Sequence, residues 1–201
     1  MNTKTNFSEV TVIIRSVGER TTDLCRELII SQGVNENNLT VVSVSPFSEA
    51  LRKCYEIGIK KGKKWTLCVD ADVLSSSISI KSLIDKAGDA SDNVFEIQPL
   101  VCDWLFGGIR TAGVHLYRTS LLNKALDLVP RSEESLRPEN YVLKKMKLLG
   151  FPYIVCDVLF GLHDFEQSYL DIYRKCYLQG KKHVKFTALL FGYWQANITK
   201  D

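Results

Sequence analysis

The first seventy residues alternate short apolar runs with longer segments of mixed polarity. Val10–Arg15 (VTVIIR) is a β-branched run and reads as a buried strand. Thr21 and Thr22 can cap a helix reaching about Ser31, and Gly33 stops it. Residues 39–44 (LTVVSV) read as a second strand. In SEALRKCYEIGIKKG, which starts at Ser48, the positions Ala50, Leu51, Cys54, Ile57 and Gly58 recur at helical spacing, and the basic KKGKK end faces solvent. Residues 65–69 read as a third strand. Strand, helix, strand, helix, strand at this spacing predicts a parallel sheet covered by helices, with right-handed crossovers.

The later pattern is looser. Residues 80–87 predict a short helix, and 94–101 and 113–117 predict strands, with WLFGGIRTA between them. Residues 120–128 and 138–149 predict helices, the second with Pro138 at its first position and Gly150 at its stop. Residues 154–158 read as a strand, and 166–179 and the closing HVKFTALLFGYWQANI as helices. No repeat or low-complexity linker divides the chain. Residues 1–201 therefore read as one α/β domain, a mostly parallel sheet flanked by helices.

A chain of 201 residues that is 45% hydrophobic can bury a large core without disulfides. A net charge of +3 is too mild to suggest nucleic acid, and it suits a phosphate-bearing substrate. The six cysteines, Cys25, Cys54, Cys68, Cys102, Cys156 and Cys176, form no CxxC pair and sit mostly in apolar segments. They read as reduced core thiols in a cytoplasmic protein. The start, MNTKTNFSE, lacks the apolar stretch of a secretion signal, and no run approaches the ~18 apolar residues of a membrane span. The C-terminal GKKHVKFTALLFGYWQAN reads as a docked helix or an oligomer contact, ahead of an interfacial helix resting on lipid. Peripheral membrane contact and homo-oligomerisation both stay open.

One stretch carries chemistry. WTLCVDADVL ends a greasy run in two acids, Asp70 and Asp72. In an extended backbone residues two apart point the same way, so both carboxylates can face one cation if the strand continues through them. Mg²⁺ takes one or two carboxylates together with phosphate oxygens, and ligands of such sheets bind beyond the carboxyl ends of the strands. Two other readings stand beside this. DADV fits the D-x-D-x-[T/V] of a haloacid dehalogenase-type phosphatase with Asp70 as nucleophile, and GDASD at 88–92 is similar to that superfamily's later acidic motif. The acids can also simply form a turn. Arg15 ends an apolar strand, so its charge is expected to be paired or to meet a ligand.

VTVIIRSVGERTTDLCRELIISQG, then LTVVSV, then SEALRKCYEIGIKKGKKWTLCVDADVL resembles the nucleotide-binding half of a GT-A fold glycosyltransferase, particularly the family 2-like group. The resemblance covers about residues 1–75. Over 94–201, the acceptor half, it is looser and rests on GGIRTAGVHLYRTSLL, the helix beginning PENYV, and FGLHDFEQ. It implies a metal-dependent, inverting transfer of sugar from a nucleotide-sugar donor, UDP-linked by preference and GDP-linked second, to a hydroxyl of a glycan or other acceptor. Mn²⁺ or Mg²⁺ would sit on the diphosphate, held by Asp72 with help from Asp70 through water or ribose.

By the same resemblance His163 is a third metal ligand, and Arg15, Ser16 and Glu19 lie where the nucleoside pocket opens. From the residues themselves, Arg110 after a glycine segment reads as a phosphate or sugar contact or as an exposed loop charge, and Trp104 as a ring for a sugar face or as a buried aromatic. Glu139 in RPENY is the first candidate base, although a carboxylate in a first helical turn also suits the helix dipole. Asp103 in CDWLFGG is the second, and Asp164 caps the following helix. The chain departs from the family where Arg15-Ser16-Val17-Gly18-Glu19-Arg20 replaces the common Pro-Thr-Tyr-Asn. It departs again where Ser43, Ser45 and Pro46 replace acids that contact the base or ribose, which leaves the nucleotide undefined. A non-catalytic GT-A-like domain that binds a nucleotide or glycan is the remaining reading.

Overall fold

The computed structural model describes residues 7–166, 168–182 and 187–198. The strands are β1 (Val10–Arg15), β2 (Leu39–Val42), β3 (Trp65–Asp70), β4 (Val73–Ser75), β5 (Glu96–Asp103), β6 (Gly108–Arg110), β7 (Val114–Arg118) and β8 (Tyr153–His163). The helices are α1 (Thr22–Ser31), α2 (Phe47–Lys61), α3 (Ser79–Gly88), α4 (Leu122–Leu126), α5 (Pro138–Leu148), α6 (Tyr169–Lys182) and α7 (Thr187–Ile198).

The strands form one sheet in the order β2-β1-β3-β7-β5-β8-β4, with β6 beside β5. β1 runs parallel to both β2 and β3, as the early pattern predicts. The later half is mixed. β7 runs antiparallel to β3 and to β5, β5 runs parallel to β8, and the three-residue strands β4 and β6 pair antiparallel with β8 and β5. The expectation of a mostly parallel sheet thus holds for the first three strands and for β5–β8. Antiparallel pairing needs only a short turn where a parallel pair needs a crossover, and the short links around β6 supply such turns.

Period-2 alternation sends the strand side chains to two cores. Val12, Ile14, Leu67 and Val69 face α1 and α3, with Cys25, Ile29, Ile80 and Leu83 packed against them. Ile13, Cys68 and Tyr117 face α2, α4 and α5, with Leu51, Tyr55, Leu122, Val142 and Met146. Cys25, Cys54 and Cys68 are buried thiols, and no cysteine is in a disulfide among the described residues. α2 ends at Gly62, whose left-handed backbone (φ 64°) lets its N–H close on the carbonyl of Gly58.

Some boundaries differ from the sequence reading. β2 stops at Val42, α4 is shorter than 120–128, and α6 starts at Tyr169 rather than 166. β8 runs to His163 instead of ending at 158, held by β5 on one side and β4 on the other. That extra length carries His163 to the end of the sheet. α7 docks on the loop after β5, where the Trp194 Nε1–H donates to the Leu105 carbonyl at 2.9 Å and Tyr193 covers Gly107. The C-terminal stretch divides: its GKK start belongs to α6, and residues 183–186 (HVKF) lie outside the described residues. Among the described residues no helix is long and apolar enough to cross a membrane.

Candidate active site

Register brings the charged residues together. Arg15 at the end of β1 stands opposite Asp70 at the end of β3, and Asp103 at the end of β5 stands opposite His163 at the end of β8. β7 enters at this same rim, Val114 lying opposite Val69. The rim is the carboxyl end of the parallel strands, where a doubly wound sheet binds ligands.

Asp70 and Asp72 fall in different side-chain groups. β3 ends at Asp70, the chain turns through Ala71 and Asp72, and β4 leaves to pair with β8. The condition for the two carboxylates to point together, a strand continuing through both, is not met. Each acid joins a separate cluster.

The first cluster is built on Arg15, which is 5% exposed. Its Nε donates to Asp70 Oδ1 at 2.7 Å and its Nη1 to Glu139 Oε1 at 2.8 Å, while the guanidinium lies over the Phe47 ring. Glu139 also binds His115 Nε2 at 2.9 Å and accepts a short bond from the Tyr117 hydroxyl. The other ring nitrogen of His115 meets Glu96 at 2.6 Å. Burial alone would raise the Glu139 carboxyl, but Arg15 and His115 hold it far below its usual range. Burial alone would lower His115, yet Glu139 and Glu96 push it up to about 10. A cavity of about 500 Å³ opens on this cluster, lined by Phe47, Asp70, Gln98, Arg110, His115, Arg137 and Glu139 among others.

The second cluster gathers Asp72, His163 and Asp164, whose donor atoms lie within 4.8 Å of one another. His163 Nδ1 is bound to Asp103 at 2.7 Å, which turns Nε2 toward Asp72 Oδ1 at 3.5 Å. A carboxylate on one ring nitrogen that aims the other at a cation is a recurrent way to orient a metal-binding imidazole. Asp103, 1% exposed, is itself held by Arg110 and by the Phe106 N–H. Burial would raise its carboxyl, but His163 and Arg110 bring it below the usual range. Asp164 sits in the left-handed region (φ 63°), which Asp tolerates better than most residues, and its N–H donates to the Asp72 carbonyl at 3.2 Å. The Lys175 ammonium, from the middle of α6, contacts Asp72 Oδ2 at 2.5 Å and Asp164 Oδ1.

This group fits a divalent cation on its own chemistry. Two carboxylates and an imidazole are ordinary ligands for a metal such as Mn²⁺. Asp72 Oδ1 is buried without a hydrogen-bond partner, as an oxygen reserved for a ligand would be. The group comprises Asp72, His163 and Asp164, and Asp70 is not part of it.

Gly113 joins the clusters. A Cβ there would lie 3.3 Å from both Asp70 Oδ2 and His163 Cδ2, and 2.7 Å from a Val73 methyl. Its positive φ of 64° also favours glycine. A bare backbone thus lets the cavity wall and the Asp72–His163–Asp164 group adjoin.

The other expected residues fall as follows. Ser16 and Glu19 satisfy one another and their own loop: Ser16 Oγ donates to Glu19 Oε2 at 2.8 Å, and that oxygen also accepts from the Val17 N–H. They shape the turn after β1. Arg110 lines the cavity and pairs with Asp103. Glu139 and Asp103, the expected bases, are each engaged by three or more donors and held deprotonated, a poor condition for taking a proton. Trp104 is exposed beside Asp103 and packs edge-to-face against Phe165. GDASD lies at the opposite end of the sheet, its Asp92 paired with Arg118, which stands across from Trp65. A six-residue strand, roughly 17 Å, separates it from Asp70, against the geometry the phosphatase reading needs. Sequence reasoning missed His115, Glu96 and Lys175 as site residues. His115 within GVHLY and Glu96 within VFEIQPLV, polar side chains inside predicted strands, were the traces left; Lys175 left none.

No family model and no curated protein sequence matches this chain. Solved structures do. A glycosyltransferase involved in the glycosylation of the major capsid of PBCV-1 superposes with a TM-score of 0.54 at 16% identity, covering 83% of this chain and 97% of that one. The 2-C-methyl-D-erythritol 4-phosphate cytidylyltransferase of Francisella tularensis gives 0.57 at 14% identity over 84% and 99%. A mannosyltransferase from Pyrobaculum calidifontis, solved with GDP-Man and Mn²⁺, gives 0.53 at 12% over 91% and 68%. At these identities the likeness is one of fold: the chain has the GT-A-like α/β architecture that these glycosyltransferase and cytidylyltransferase structures share.

Proposed function

We propose that the protein is a metal-dependent glycosyltransferase that moves a sugar from a nucleotide-sugar donor to an acceptor hydroxyl with inversion. The observation that carries this reading is the Asp72–His163–Asp164 group adjoining a charged cavity at the rim of a GT-A-like sheet. A bound Mn²⁺ or Mg²⁺ would neutralise charge growing on the departing diphosphate. Asp72, His163 and Asp164 would hold the ion, and Asp103 fixes the His163 ring through Nδ1. Arg110 on the cavity wall is placed to meet a phosphate or sugar oxygen. Asp70, about a third exposed on the cavity, is the carboxylate in reach of a ligand hydroxyl, ribose or acceptor. Arg15, His115 and Glu139 form the fixed floor that holds Asp70 in place.

A thermal-shift panel of nucleoside diphosphates and their sugars, UDP-linked first and GDP-linked second, with and without Mn²⁺, tests the reading. A metal-dependent rise in melting temperature, lost in Asp72→Ala, is expected. A rise indifferent to metal, or no rise with any nucleotide, would sink it. The Francisella protein's named activity supplies the second reading, nucleotidyl transfer on the same fold. Product analysis separates them: glycosyl transfer releases a nucleoside diphosphate, and nucleotidyl transfer releases pyrophosphate.

A further inference from the structure

Lys175 holds the place between Asp72 and Asp164 that a divalent ion would take. We propose that its ammonium is the resident counter-cation of the group and sets its metal affinity, because an incoming ion must displace it. This rests on reading Asp72, His163 and Asp164 as a metal site, and it assigns a role to a residue outside the ligand set.

Three observations carry it. First, Asp72 and Asp164 are 7% and 3% exposed, and buried carboxylates this close need positive charge between them. Lys175 supplies it, 103 residues along the chain from Asp72. Second, the lysine leaves the site half satisfied. It reaches Asp72 Oδ2, while Oδ1 has no hydrogen-bond partner and meets His163 Nε2 only in a long ion-pair contact at 3.5 Å. A single monovalent donor cannot serve both sides, whereas a divalent ion can draw one donor atom from each of the three residues. Third, the cation is the most exposed member of the pair of contacts it makes. Its side chain is 27% exposed against 9% and 3% for the carboxylates, and its four-carbon stem can swing into water while α6 stays folded.

The test is Mn²⁺ binding to the full chain, followed by the loss of the free-ion resonance and by calorimetry, in the wild type, Lys175→Met and Lys175→Gln. The glutamine variant retains a donor on a flexible stem should the methionine variant fold poorly. Displacement predicts at least tenfold tighter Mn²⁺ binding in both variants. It also predicts a lower melting temperature than wild type without metal, and a larger rise on adding Mn²⁺. Unchanged or weaker Mn²⁺ binding in the variants overturns the proposal while leaving the metal site standing. Mn²⁺ binding to neither wild type nor variants overturns both. Nucleoside diphosphate binding that persists in chelator and vanishes in Lys175→Met overturns displacement in favour of the ammonium as the working cation.

Discussion

Arg15 on β1 and Glu139 on α5, 124 residues apart in the chain, meet at 2.8 Å. The same guanidinium holds Asp70, so one arginine neutralises a carboxylate from the sheet and one from the helix that covers it. Removing one partner of a buried ion pair leaves an uncompensated charge, a loss of about 3–5 kcal/mol. Arg15→Met should therefore lower the urea midpoint by an amount equivalent to about 3 kcal/mol. A change within about 0.5 kcal/mol, typical of surface substitutions, would refute the structural role given to this pair.

His115 makes stability depend on alkaline pH. Its pKa rises from 6.5 to about 10 on folding, so the folded chain keeps a proton that the unfolded chain releases. The contribution is complete below pH 6.5 and is lost as pH climbs through 10. Unfolding free energy should fall across that window with a slope approaching about 1.4 kcal/mol per pH unit from this group. His115→Asn should be less stable at pH 6 and show a flatter profile. Denaturant titrations at closely spaced pH values give both slopes, and equal slopes would contradict the assignment.

Gly113→Ala should damage fold and site together. The new Cβ would press on Val73, Asp70 and His163 at a left-handed backbone position. A loss of about 1–3 kcal/mol is expected, with weaker Mn²⁺ and nucleotide binding. Gly150→Ala provides the control. It has φ 86° but nothing within 4 Å of its Cβ, so it should lose stability without losing ligand.

The two aspartates should separate by substitution. Asp72→Asn removes a charged ligand and should abolish Mn²⁺ binding as calorimetry reads it. Asp70→Asn should leave Mn²⁺ binding within a few-fold and weaken the nucleotide or acceptor instead. Equal loss of metal in both variants would restore the shared-ion reading that the turn at Ala71 speaks against.

Local periodicity sufficed for β1, α1, α2 and β3, and Pro138 with Gly150 bracketed α5, because those signals are written within one element. The parting of Asp70 from Asp72 was not legible. It depends on β4 leaving β3 to pair with β8, a contact made some ninety residues downstream. Arg15 could be expected to have a partner from its place in an apolar strand, but its partnership with Glu139 is tertiary. Lys175 gave no signal, since a lysine in a polar helix looks like any solvated charge until His163 and Asp164 arrive beneath it. The antiparallel half of the sheet was hidden for the same reason, as strand direction follows from which neighbours the chain finds.

β8 is the last strand of the sheet, and it brings His163 and Asp164 with it. During synthesis a nascent chain that has emerged only through α5 owns Asp72 but neither its imidazole nor its ammonium. It carries an unfinished acidic rim while its N-terminal strands can already be paired. The three donor residues are therefore all present only once the chain has passed Asp164, and the ammonium that neutralises them follows eleven residues later.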